Sequence, residues 1–126
     1  MNLLGSHDTP RVLTELGDRK KLMMAAFLQY TLPGSPSIYY GDEAGLQGQK
    51  DPFNRKTYPW GQEDETLIAH YRSLGAMRKK HLPLRLGNIR FLQAENGRLV
   101  FCREYGGKKV TVAIDRAEDT WNIWEE

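Results

Sequence analysis

Apolar residues change their spacing once along this chain, and that change limits the folds open to it. Leu22, Met23, Ala26, Phe27 and Tyr30 recur three and four residues apart, as on one face of a helix. Leu67, Tyr71, Leu74 and Met77 or Arg78 repeat that spacing within a second helix expected over residues 63–80. After His81-Leu82-Pro83 the period becomes alternating. Strands are expected at Ile89–Gln93, Leu99–Arg103 and Val110–Ile114, separated by Asn96-Gly97 and Gly106-Gly107, residues that tolerate the positive φ of hairpin turns. The order is α/β first and antiparallel β afterwards, with a boundary between Leu82 and Leu86.

The remaining segments fill in around these elements. Met1 to Leu4 reads as the end of a buried strand. Thr9-Pro10 offers a helix start, with a hydroxyl at the cap and proline at the first helical position, and Gly17 ends that short helix. Asp18 is the next cap candidate, and Pro33-Gly34-Ser35-Pro36 closes the helix it opens. Ser37-Ile38-Tyr39-Tyr40 follows as a β-prone segment closed by Gly41-Asp42-Glu43. From Ala44 to Gly61 glycine, proline and charge dominate, a connection too long and too polar to be buried, and loops of this length usually carry function or are disordered. Tyr58 and Trp60 within it argue for anchoring.

Composition narrows the partners. The chain has 126 residues, 40% of them hydrophobic and 27% charged, enough for one core. Its 18 basic and 16 acidic residues give a net charge of +2, spread without the basic block of a nucleic-acid binder, so no nucleic acid is expected. No run reaches the ~20 apolar residues of a membrane span, so no membrane partner is expected either, and the N-terminus lacks a signal-peptide pattern. The one cysteine, Cys102, excludes an intramolecular disulfide and reads as a half-buried small hydrophobe. Because Met1 stands directly before a strand, the chain opens in the middle of a pattern, as a fragment of a longer protein does.

Three stretches then carry a resemblance. "NLLGSHDTPR", "PGSPSIYYGDEAGL" and "DPFNRKTYPW" resemble, in order and spacing, late motifs of the alpha-amylase superfamily of glycoside hydrolases, most closely its neopullulanase and cyclomaltodextrinase branch. The resemblance covers almost the whole chain. It implies an α+β fragment: residues 1–82 would be the last β/α units of a (β/α)8 barrel, and residues 83–126 the first antiparallel strands of a β-sandwich.

It also implies roles. Barrel enzymes place their chemistry at the carboxyl ends of the strands, which accounts for two adjacent ionisable residues, His7 and Asp8, just after an apolar run. By resemblance, Asp8 is the transition-state stabiliser that holds sugar hydroxyls at the cleavage point, and His7 binds the same sugar. Asp51 and Arg55 match a pair that binds glucose units further along the groove. Each has a plainer reading: Asp8 as a helix cap, Asp51 and Arg55 as a solvated ion pair. Asp42 and Glu43 are expected to support the end of a strand. Tyr39, Tyr40, Tyr58 and Trp60 could stack on sugars, although packing is the default for such rings.

Retaining hydrolysis needs a carboxylate nucleophile and a carboxylic acid donor. The family's motifs for both are absent from this sequence, and in the family both lie upstream of the stretch matching "NLLGSHD". The expectation is thus the C-terminal part of an alpha-glucan-acting retaining hydrolase, inactive alone, with an alpha-glucan or maltooligosaccharide as ligand, no cofactor and no metal. A chain cut from a closed barrel is also expected to self-associate. Two other readings stand beside this one. One is a non-catalytic carbohydrate-binding or structural remnant. The other, more remote, is a metallophosphoesterase, from the echo of Gly-Asn-His-Asp/Glu in Gly5-Ser6-His7-Asp8, where further ligands would be needed and His70 and His81 stand isolated in helix and linker.

Overall fold

A computed structural model describes residues 2–49 and 52–126. Two short strands, β1 (Asn2–Leu3) and β2 (Pro36–Ser37), pair in parallel, Asn2 opposite Pro36 and Leu3 opposite Ser37. Between them run helices α1 (Val12–Leu16) and α2 (Arg19–Thr31). A buried glutamine ties helix to strands. Gln29 Nε2 donates to the carbonyls of Asn2 and Ser37 at 2.9 and 3.0 Å, and Asn2 Nδ2 donates to the Gln29 carbonyl at 2.8 Å.

Several expected boundaries move. β1 is not buried: Leu3 is 46% exposed, with β2 as its one neighbour in the two-stranded sheet. β2 pairs through Pro36 and Ser37 rather than along Ser37–Tyr40, because Tyr39 and Tyr40 leave the ladder to pack around Arg11. α1 begins at Val12 rather than Pro10, with Arg11 at its cap position and no side-chain cap. The Thr9 hydroxyl is engaged elsewhere, donating to the Ser6 carbonyl and accepting from the Ser6 amide. Gly17, at φ 68°, does end α1, and Asp18 does cap α2 by accepting from the Lys20 amide at 2.8 Å. α2 buries more than one stripe, with Leu22, Met24, Ala26, Phe27, Gln29 and Thr31 all covered and Met23 only partly so.

Two 3-10 turns, Asp42–Ala44 and Phe53–Arg55, punctuate the long polar loop. Trp60 does not anchor it. The indole is 82% exposed and lies against Tyr58 with ring centroids 4.6 Å apart. Helix α3 (Glu65–Lys80) is capped by Asp64, which accepts from the Leu67 amide, and it buries Leu67, Tyr71 and Leu74 as its spacing requires.

The expected boundary between Leu82 and Leu86 is a five-residue helix, α4 (Leu82–Leu86), with Pro83 near its start where the missing amide donor costs nothing. His81, just before it, is buried beside Glu125, Nδ1 to Oε2 3.7 Å. Four strands then form an antiparallel meander in the order β3 (Arg90–Glu95), β4 (Arg98–Tyr105), β5 (Lys108–Asp115) and β6 (Thr120–Glu125). Asn96-Gly97 and Gly106-Gly107 turn at positive φ as the sequence requires. β6 adds a fourth strand to the three the alternating pattern predicts, with Trp121 and Ile123 packed toward the core.

One core joins the helices to the sheet. Phe27, Tyr71, Leu74 and Leu84 pack with Phe101, Val110, Val112 and Ile114. Cys102 is fully buried rather than half-buried. Arg103 of β4, 1% exposed, donates from Nη1 to the Thr31 carbonyl at 2.7 Å, from Nε to Asn88 at 2.7 Å and from Nη2 to Gly87 at 2.9 Å. Its fork satisfies three carbonyls that the end of α2 and the α4–β3 connection leave open.

Candidate active site

The loop between β1 and α1 leaves the carboxyl end of β1 and turns at once. Thr9 N donates to the Ser6 carbonyl, and Asp8 N donates to Ser6 Oγ at 3.2 Å. His7 and Asp8 ride on this turn, His7 Nε2 3.3 Å from Asp8 Oδ1, with side chains 61% and 76% exposed. Because the cap position of α1 is Arg11, the Asp8 carboxylate does not serve as that helix's cap. It faces outward with acceptor capacity in hand.

Beneath the turn lies a charged floor. Arg11 Nη1 donates to the Tyr40 carbonyl and to Asp42 Oδ1, the latter at 3.3 Å. The guanidinium carbon sits 4.2 and 4.3 Å from the ring centroids of Tyr39 and Tyr40, which makes it a cation between two π faces. These two tyrosines are therefore packing residues in this arrangement. Gly5 admits the Asp42 carboxylate closely enough that an added Cβ would stand 2.6 Å from Oδ2. Burial pushes the Asp42 carboxyl up to about 6, against the opposing pull of the Arg11 hydrogen bond and charge, with Glu43 adding to the rise. Asp42 thus braces the two strand ends from inside. Glu43 Oε1 accepts from the Gly41 amide at 3.3 Å.

A third segment closes on the same turn. Asn54, fully buried, donates from Nδ2 to the carbonyls of His7 at 2.9 Å and Thr9 at 2.7 Å. Further back, the Arg11 amide donates to the Gly48 carbonyl and the Gly48 amide to Thr14 Oγ1, both at 2.8 Å. Arg55 follows Asn54 directly and is exposed. Asp51 lies outside the described residues. The fold thus brings His7, Asp8 and the Arg55 loop to one place.

Arg11 and Asn54 were missed as site-building residues. Neither stands in an apolar pattern, and an arginine or asparagine in a polar stretch reads as solvated. The one available signal was their adjacency to singled-out residues, Arg11 in the turn after Asp8 and Asn54 next to Arg55.

Comparison with known proteins bears on what this arrangement belongs to. The family model described as alpha amylase, catalytic domain, matches residues 1–81. A cyclomaltodextrinase from Geobacillus thermopakistaniensis is 42% identical over 127 residues, covering 97% of this chain and 22% of the relative. An amylopullulanase from Thermoanaerobacter thermohydrosulfuricus is 38% identical over 145 residues, covering 94% of this chain and 10% of the relative. Among solved structures, a cyclomaltodextrinase superposes with a TM-score of 0.85 at 41% identity, over 91% of this chain and 21% of that one. This chain therefore spans a quarter or less of the length of these relatives. With the match over 1–81 and these identities, the chain belongs to the alpha-amylase family of glycoside hydrolases.

Proposed function

We propose that these residues serve an alpha-glucan-acting retaining glycoside hydrolase. Asp8 is the transition-state stabiliser, His7 binds the same sugar, and Asp51 and Arg55 bind glucose units further along. The nucleophile and the general acid come from residues outside this sequence. Residues 1–82 contribute the closing β/α units of a (β/α)8 barrel and residues 83–126 the opening strands of a β-sandwich. In favour of that division are the parallel β1–β2 pair connected through α2 and a family match ending at residue 81.

The observation that carries the reading is the His7–Asp8 pair, 3.3 Å apart and exposed beyond the end of a parallel strand. A carboxylate there complements an oxocarbenium-like centre, and its hydroxyl contacts strengthen as the ring flattens. It cannot perform the double displacement by itself. The 126-residue chain should therefore release no reducing sugar from starch, pullulan or cyclodextrins; release abolished by Asp8→Asn would overturn this.

The role of Asp8 is tested in a polypeptide that also carries the two other carboxylates. Asp8→Asn keeps the size of the side chain and loses the charge, so kcat should fall about a hundredfold, about 3 kcal/mol, with a smaller change in KM. Arg55→Ala should act chiefly on KM and product length. Near-normal kcat in Asp8→Asn would remove Asp8 from the catalytic assignment.

A further inference from the structure

The contacts of Asn54 bracket Asp8. Its side-chain NH2 group donates to the carbonyl of the residue before Asp8 and to that of the residue after it. The His7–Asp8 peptide and the Thr9–Pro10 peptide, one residue beyond the aspartate, are thereby held from one point. The amide can be oriented in only one way: turned over, Oδ1 would face two carbonyl oxygens, acceptor against acceptor. As it stands, Oδ1 is buried without a hydrogen-bond partner among the described residues, so the donors fix the group. Burying that oxygen costs free energy, and the pair of hydrogen bonds to the turn offsets it.

The other end of the same loop is equally constrained. Gly48 is held by Arg11 and Thr14 and passes so close to the Phe53 carbonyl that a Cβ would collide with it. The loop therefore grips the His7–Asp8 turn at Asn54 and the entry to α1 at Gly48. Arg55 is covalently next to the grip.

We propose that Asn54 is a positioning residue that clamps the backbone on either side of Asp8 and couples that carboxylate to the loop bearing Arg55, so that the two sugar contacts act as one unit. This rests on the glucan-binding reading above. Asn54 touches no substrate in this assignment; it acts through Asp8.

The test uses the whole 126-residue chain and two substitutions, Asn54→Asp, which replaces both donors by an ionised acceptor, and Asn54→Ser, a milder loss. Amide hydrogen exchange followed by NMR without sugar is the first readout. Expected is a rise of about tenfold or more at the amides of Ser6, Asp8 and Thr9, with protection retained in α2, α3, β4 and β5, since each lost bond is worth a modest net free energy. Unchanged exchange at those three amides in both variants overturns the clamp. So does a uniform loss of protection throughout both variants, which would make Asn54 a general stability residue. Maltotriose is then titrated. In the unsubstituted chain the resonances of Asp8 and Arg55 should both shift on binding; in Asn54→Ser the apparent Kd should rise about threefold or more through lost preorganisation, and an unchanged Kd there overturns the coupling. If maltotriose shifts neither residue in the unsubstituted chain, the glucan-binding reading fails and the coupling with it, while exchange still decides the clamp.

Discussion

Arg11 and Asp42 meet at 3.3 Å with 0% and 3% of their side chains exposed, a charge pair taken almost wholly out of water. It joins the turn after β1 to the 3-10 turn after β2. Desolvating two charges costs several kcal/mol per ion, and their attraction recovers this only with good accessory contacts. Here the accessory contacts are incomplete. Arg11 has the Tyr40 carbonyl and two aromatic faces, yet its Nε and Nη2 have no hydrogen-bond partner among the described residues.

The Asp42 carboxyl, raised to about 6 from 3.8, makes stability depend on pH in a stated direction. Between those values the folded chain holds a proton that the unfolded chain has released. The group's contribution is thus full below about pH 4 and is lost as pH rises through 6, by about 3 kcal/mol. Asp42→Asn should remove this part of the pH dependence. Urea unfolding at pH 4, 5, 6 and 7 checks it, and identical pH profiles for the two proteins would refute it.

Arg103 bridges β4 to the end of α2 and to the α4–β3 connection through three carbonyls. Burial lowers its guanidinium to about 10, still charged at neutral pH. Arg103→Met leaves three carbonyls without donors and should destabilise by about 3 kcal/mol or more. Arg103→Lys should recover only part of this, because an ammonium cannot reproduce the planar fork. Denaturant midpoints for both decide it.

Two glycines should respond in opposite directions to alanine. At Gly48 a Cβ would strike the Phe53 carbonyl, which is backbone and cannot step aside cheaply. Gly48→Ala should cost about 1–3 kcal/mol and displace the 52–55 turn. Gly75 lies inside α3 with nothing among the described residues within 4 Å of an added Cβ outside its own helix backbone and chain neighbours. Gly75→Ala should stabilise by about 1 kcal/mol through helix propensity. Equal shifts in unfolding midpoint would contradict both assignments.

Self-association is expected from the surface of the sheet. β3 is an edge strand, and its Phe91 and Leu92 are 57% and 51% exposed, with Leu86 nearby in sequence at 58%. Such an edge pairs readily with another chain. Light scattering should show species larger than a monomer, and Leu92→Lys should reduce them. A monodisperse monomer that binds no hydrophobic dye would count against it.

Elements whose signal is local were legible in the linear order of residues. Asp18 as a cap, Gly17 as a stop, the Leu67-Tyr71-Leu74 stripe and the two hairpin turns each depend on side chains within a few positions of one another. The motifs around His7 and Asp8 were legible for the same reason. α4 falls where the sequence shows only a boundary, because five residues are too few for a helical period to register.

The floor under His7 and Asp8 had no such local signature. Arg11 reaches a carboxylate 31 positions away, and Asn54 reaches carbonyls 47 and 45 positions away. Thr9 had the right chemistry for a cap, but the turn at Ser6 claimed its hydroxyl and moved the helix start to Val12. Residue order specifies which donors and acceptors a segment carries. Which of them meet, and which are buried enough for the meeting to matter, depends on chain packing that brings distant segments together, because a polar group left without water must find its partner wherever the fold provides one.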